Sequence, residues 1–568
     1  MADLNESRRV QAWLDKFFAS YYRHRPVNAT FIGEHAYDHA LPDYSAQGVE
    51  AALADAEALL RDSALVDDAE LTAIERLDKR LAEGFLRIQQ WELVSTHFQR
   101  GNPCVYTGEA IFGVISLFLT EYAPEKERVA AAVERMRLIP RLLEQGESNI
   151  HSAPVAWTER ALRECTGARN FFSQGINMLA ASMGGDQQAL RRAADVALEA
   201  FARFEAHLRA TVLRADSSTF ASGGDAFDML MREGHRLEMS GDAIAAYAAE
   251  QLAETKAKLA EQAAVFGVEK WQDALVQLSG IHPTVGKYLG RYQQLWDASK
   301  ALSDEQQLLT WPDFPIEYVP QPEWARSAAP YLYFLFYRAP AAHHRPPVHR
   351  YLVTPIEKTM PRSQQQKLLR ANNDSVIKLN HVVHHGGIGH HVQNWNAYRS
   401  SSRIGRIAAV DTAARVALFC GGTMAEGWAC YATTLMGEAG FLTPLESFSE
   451  LQTDLRMAAR ALVDVRLHQG RMTMDEAADF YEQNTGMSRA ASRGETVKNS
   501  MFPGGAMIYL MGRDEIVRLR GEMQSKLGQR FTMRRFHDRF LSFGSVPVRC
   551  VAAIMHEEAE QEESTHDN

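Results

Sequence analysis

The stretch GDAIAAYAAEQLAETKAKLAEQAAVFGV, residues 241–268, carries alanine, leucine and glutamate at helical spacing over more than six turns and contains no proline. AALADAEALLRD, residues 51–62, repeats the pattern. Glycine (37) and proline (20) are both sparse in a chain of 568 residues, so most of the protein is expected to be helix. Ten of the twenty prolines lie between Pro312 and Pro361, together with YLYFLFY (331–337) and RYLVTP (350–355), the two best strand candidates. The fold class expected is mainly α, with a small Pro- and aromatic-rich insertion that contains β-structure. The chain divides into a helical half (1–300), the Pro/aromatic-rich segment (301–365), a second helical half (366–555) and an acidic tail (556–568), HEEAEQEESTHDN. In the second half Thr443-Pro444 starts a helix, Gly470 stops it, and Thr473 with Glu476 forms a capping box for the next. No internal repeat of fixed period is visible.

Composition narrows the function. With 46% hydrophobic and 23% charged residues the chain is globular, and 61 Lys+Arg against 71 Asp+Glu give a net charge of -10, which offers no footprint for nucleic acid. No apolar run is long enough to span a bilayer, and QAWLDKFFASYYRHRP (11–26) is too interrupted by charge for a signal peptide. The five cysteines, at 104, 165, 420, 430 and 550, form no CxxC pair. The expected location is the cytoplasm, with no membrane or nucleic-acid partner.

The densest chemistry is LNHVVHHGGIGHHVQNW (379–395), where His381, His384, His385, His390 and His391 fall within eleven residues. On a helix, positions four apart share a face, so His381 and His385 form one candidate pair, while His384 and His391 are seven apart. Gly386, Gly387 and Gly389 weaken the helix and leave the ligand pair open. Set between apolar residues, the cluster reads as a metal site. A carboxylate is available in GTMAEGWACYATTLMGEAG (422–440), where Glu426 stands in an apolar helix; the alternative for it is a salt bridge to an arginine. Farther on, Arg456, Arg460, Asp464 and His468 follow at steps of four, either as exposed pairs or as groups that orient the site or bind an anion. The aromatics of 331–337 with His343, His344 and His349 either line the pocket or fill a core, and Trp428 reads as core.

These motifs, in this order, resemble the bacterial domain-of-unknown-function 885 family, helical zincin-like proteins similar to metallocarboxypeptidases. The likeness covers RHRPVNATFIGEHAYDHALPDYS (23–45), ERMRLIPRLLEQGESNI (134–150, with the Arg135-to-Pro140 helix), HHGGIGHHVQ (384–393) in place of HExxPGHHxQ, EGWACYA (426–432), RALVDVRLH (460–468) and FPGGAMIYLMG (502–512). The resemblance implies a metal held by His384, by His390 or its neighbour His391, and by Glu426, with Tyr509 and His468 lining the pocket. The chain departs from the pattern at His385, where the family has its glutamate base, and at Ile388, Thr433 and Gly505.

Three roles compete for His385: general base in place of the glutamate, additional ligand or proton shuttle, or no catalytic role in a binding protein. The function expected is that of a metal-dependent hydrolase acting on an amide or related bond of a small molecule or short peptide. One divalent transition metal is implied, zinc in first place and iron or manganese after it. His385 serves as base, and Tyr509, His468 or Arg460 steadies the oxyanion or a substrate carboxylate. The alternative is a non-hydrolytic metalloenzyme, a lyase, isomerase or oxygenase, and behind it a non-catalytic binding protein.

Overall fold

The computed structural model describes residues 6–183, 186–215, 219–332, 339–410 and 414–566. It is 74% helical, with one small two-stranded sheet, so the expected mainly-α class is observed. The helices used below are α1 (Pro103–Leu119), α2 (Glu125–Asn149), α3 (His390–Ala397), α4 (Ala414–Glu438), α5 (Pro444–His468), α6 (Arg489–Met501), α7 (Ile508–Leu527) and α8 (Val548–His566). The sequence signals at α5 hold: Thr443 caps its first turn, the chain leaves it through Gly470 at φ 70°, and Thr473 and Glu476 form the next capping box.

The sheet pairs β1 (Ile316–Pro320) with β2 (His349–Val353) in parallel, Ile316 opposite His349. RYLVTP thus supplies β2. Its partner IEYVP carried no comparable signal, because a five-residue strand with a charge and a closing proline shows little alternation. The other strand candidate, YLYFLFY, lies mostly outside the described residues; its first residue, Tyr331, ends a short 3₁₀ turn.

The two helical halves share one core. Trp13, Phe17, Tyr21 and Phe85 pack in the same cluster as Val383, Ile388, Trp428, Tyr431 and Phe540. Polar contacts cross the same boundary: Asp78 accepts from the Ser402 hydroxyl (2.5 Å) and from the Arg403 backbone N–H (2.7 Å), and the Trp157 indole donates to Ser500 (2.8 Å). The acidic stretch read as a solvated tail continues as helix through His566, and its acids reach basic residues of neighbouring helices, as in Glu560–Lys526 (3.2 Å) and Glu562–Arg535 (2.6 Å). These ion pairs to other helices give the acids of α8 a reason to stay helical that composition alone does not reveal.

Arg135 of α2 explains why its motif is needed. Fully buried, it donates to the carbonyls of Ala40 (3.0 Å), Gly113 (2.6 Å), Pro26 (3.1 Å) and Tyr37 (3.2 Å) and to the hydroxyls of Ser116 (3.2 Å) and Thr30 (2.6 Å). One guanidinium thereby ties α1, α2 and segment 25–45, the short helix Pro26–Ile32 and the turns after it, together. Its removal strands several buried acceptors at once, so Arg135→Ala is expected to cost about 3–5 kcal/mol, measured by chemical denaturation at neutral pH; a loss below about 1 kcal/mol would contradict the role.

Candidate metal centre

The histidine motif does not form an ordinary helix. Residues Val376–Gly386 make a π-helix, whose wider i→i+5 turn ends at Gly387, and the chain restarts as α3 at His390. The break requires glycine at 389, where an added Cβ would lie 2.0 Å from the His384 carbonyl oxygen. Two indoles pin the turn from behind: Trp296 donates to the Gly386 carbonyl (2.8 Å) and Trp428 to that of Ile388 (2.9 Å). Trp428 is fully buried, in the core position the sequence indicated.

This break brings His384 and His390 face to face across the kink, rings 5.0 Å apart and nearly perpendicular. Glu426 of α4 completes the group, its Oε2 3.4 Å from His384 Nε2 and 3.7 Å from His390 Nε2. Among the described residues the ion-pair partners of Glu426 are these two histidines and no arginine. His385 joins them: one ligand atom from each of His384, His385 and His390 lies within 4.8 Å of the others. In a tetrahedral site with bonds of about 2.1 Å the ligand atoms stand about 3.4 Å apart, so the Glu426 contacts already have the spacing of ligands around a small cation.

The remaining histidines of the motif point elsewhere. His391 donates from Nε2 to the Phe314 carbonyl (2.7 Å) and stacks on the Phe314 ring, with His349 behind it, so the reserve ligand His391 is a core residue. His381 contacts the Tyr351 hydroxyl (2.6 Å), which removes the 381/385 pair. His468 is also corrected: it is fully buried, accepts from the Ser222 backbone N–H at Nδ1 (3.4 Å), donates to the Asn499 carbonyl from Nε2 (2.9 Å) and packs on His97. With both ring nitrogens committed to backbone, it braces α5.

Protonation favours ligation. Burial pushes the His384 and His385 imidazoles below their ordinary range, His385 strongly, so both are neutral near pH 7. Burial acts on Glu426 in the opposite direction, yet its contacts with His384 and His390 hold the carboxyl well below the usual carboxylate range. The His385 Nδ1 lies 2.6 Å from the Asn380 carbonyl, which can only accept, so the ring proton sits on Nδ1 and Nε2 carries the lone pair.

One stripe of α4 stays partly accessible. Most of this helix is buried; its partly accessible residues include Leu418 and Ala425, then Glu426 and Thr433, each pair two turns apart on one stripe. α7 crosses α4 so closely that a Cβ on Gly427 would meet the Gly512 backbone at 2.5 Å. That approach sets Tyr509, one turn before Gly512, beside the site. Asp464 holds the entry to α7, accepting the backbone N–H groups of Gly504 (3.1 Å), Ala506 (2.8 Å) and Met507 (3.0 Å). Arg460 lies over the Tyr509 ring at 5.1 Å and grips Glu495 through two hydrogen bonds (2.8 and 3.1 Å). Glu495, on α6, was missed in the sequence, since nothing local ties it to a site thirty-five residues away.

At Thr433, where the family pattern carries glutamate, Glu450 of α5 reaches in beside Thr433 and Thr434, whose hydroxyls donate to the Cys430 carbonyl. Burial, reinforced by Asp454, raises its carboxyl to about 7. Since the folded protein keeps this proton after the unfolded chain has lost it, stability falls as pH rises from about 4.5 to 7 and is level above. Glu450→Gln is therefore expected to raise the melting temperature at pH 8 and leave it unchanged at pH 4; equal effects at both pH values would exclude this account.

With the geometry established, comparison with known proteins gives three findings. Residues 26–555 match the family described as "Bacterial protein of unknown function (DUF885)". No curated protein matches the chain. Two solved structures share its fold, each at a TM-score of 0.76: "a putative lipoprotein of unknown function" from Shewanella oneidensis (21% identity, 97% of this chain and 99% of that one) and "the putative lipoprotein" from Colwellia psychrerythraea (16%, 98% and 99%). Both relatives are described as lipoproteins, and the cytoplasmic location expected from the sequence is withdrawn on that finding. Among the described residues no helix is long and apolar enough to cross a membrane. With nearly its whole length matched, the chain belongs to the DUF885 family.

Proposed function

We propose that this protein is a metal-dependent hydrolase of an amide or related bond in a small molecule or short peptide, built on a zincin-like site. The observation that carries the reading is the convergence of His384, His390 and Glu426, two imidazoles and an ionised carboxylate, across a kink that only glycine permits. This donor set suits zinc, with iron or manganese as alternatives. His384, His390 and Glu426 would hold such an ion, which would supply Lewis acidity to a substrate carbonyl.

The chain's own groups do the rest. His385 accepts a proton from water at Nε2, and the Asn380 carbonyl on Nδ1 favours the imidazolium that forms. The Tyr509 hydroxyl donates a hydrogen bond to the carbonyl oxygen of the substrate as negative charge builds there, keeping its proton. Arg460, bound to Glu495 and lying over the ring, positions that phenol. The proton held by His385 then passes to the leaving amine.

The close grouping of His385 with His384 and His390 favours a second reading, in which His385 is a third imidazole ligand and the chemistry is a non-hydrolytic reaction of a small metabolite. Two measurements separate these. Elemental mass spectrometry of untagged protein is expected to find about one equivalent of metal, lost in Glu426→Ala; metal retained in the variant, or absent from both proteins after reconstitution, would sink the site. His385→Asn is expected to keep the metal and lose turnover if His385 is the base, whereas loss of metal would make it a ligand.

A further inference from the structure

Arg456 lies on α5, one turn before Arg460, and behaves differently from every other cation near the site. Arg460 is neutralised by its two-bonded partner Glu495. Arg456 makes no hydrogen bond or ion pair among the described residues, and its Nε is shut off from solvent without an acceptor. Burial, aided by repulsion from Arg460, pushes its guanidinium down to about 10, so it stays charged at neutral pH. Lys498 of α6 stands 6.0 Å from the centre of the Tyr509 ring, on which Arg460 also lies. Three cations thus stand around Tyr509 and Glu495.

The register of the helices sets Arg456 beside the metal ligands. α4 and α5 are joined by a short turn and run back along each other: Glu450 meets Thr433 and Thr434, and Asp454 faces Cys430. Each step back along α4 is matched by a step forward along α5, which places Glu426 level with the turn between Arg456 and Arg460. The electrostatic influence of Arg460 on His384 agrees with that placement.

A partly buried guanidinium with no hydrogen-bond partner among the described residues is left with unused donors, and a protein that keeps one near a reactive site provides half of an ion pair. From this we infer that Arg456 is the recognition residue for a carboxylate on the substrate, which makes the substrate an amide with a free carboxylate close to the reacting bond. A guanidinium binds a carboxylate through two parallel hydrogen bonds, and Lys498 adds charge from the facing helix. Arg460, the anion ligand suggested by sequence, has its fork already filled by Glu495. The inference rests on the hydrolase reading for the identity of the reacting bond, while carboxylate binding itself is measurable without turnover.

The test uses the full chain, stripped of metal and then reloaded, titrated calorimetrically with N-acetyl-glycyl-phenylalanine and with its C-terminal amide. The acid is expected to bind at least about tenfold more tightly than the amide, the ratio for one charge-assisted pair. Arg456→Gln is expected to abolish that preference with metal content unchanged, and Arg456→Lys to restore part of it. Arg456→Met should melt at or above the wild-type temperature, because it removes an unpaired buried charge. Equal binding of acid and amide, no binding of either, a preference that survives Arg456→Gln, or a melting temperature several degrees lower in Arg456→Met would each overturn the proposal. Metal content reports separately on the hydrolase reading: a preference for the acid without any bound metal would refute that reading and leave the subsite standing.

Discussion

A carboxylate in the middle of a helix closed on most of its circumference constrains everything around it. α4 buries Phe419, Met424, Trp428, Tyr431 and Leu435, and in their midst Glu426 keeps only a quarter of its side-chain surface. A charge in such a place needs counter-charge or a cation. The structure answers from the kinked segment 384–390, which cannot reach Glu426 as a straight helix and does so only because Gly389 allows the chain to fold back on the His384 carbonyl. Of the two tryptophans that hold this kink, Trp428 belongs to the core shared by the two halves and Trp296 to the cluster around the small sheet, so the site is tied to both.

Around that centre the ionisable groups fall into two kinds. Some are spent on architecture: Arg135 gathers six acceptors, Asp464 collects three backbone N–H groups at the start of α7, and His468 bridges two backbone positions. Others group around the candidate metal centre and Tyr509, among them His385, whose Nδ1 lies on the Asn380 carbonyl, and Arg456, which has no hydrogen-bond partner among the described residues. Burial alone does not separate the kinds, since His391 and His390 are equally shielded. The difference lies in whether a backbone carbonyl or N–H already satisfies the group.

Much of the fold was legible. Alanine-rich periodicity and scarce glycine and proline announce helices, and the Thr443-Pro444 and Thr473–Glu476 signals locate real termini because capping is local chemistry. Glu426 was legible as well, since a lone acid in an apolar helix needs a reason. The strand β1 was not, being too short to alternate, and neither was the helical state of residues 556–566, whose acids draw on arginines and lysines of other helices. Glu495 and Lys498 enter the site through α6, and no spacing in the chain connects them to Arg460 or Tyr509.

The sequence by itself determined which atoms were on offer: five clustered histidines, an isolated glutamate, a stripe of arginine, aspartate and histidine on one helix, and the glycines that could interrupt it. Periodicity also determined the class of fold, because helix formation depends on neighbours three and four residues apart. Only the tertiary structure decided which histidines converge, since a π-helical turn followed by a break moves each ring by an amount that ideal spacing does not predict. It also decided that Arg460 is paired and Arg456 is not. An ion pair depends on what lies across a cleft, and that is set by how helices distant in the chain are packed.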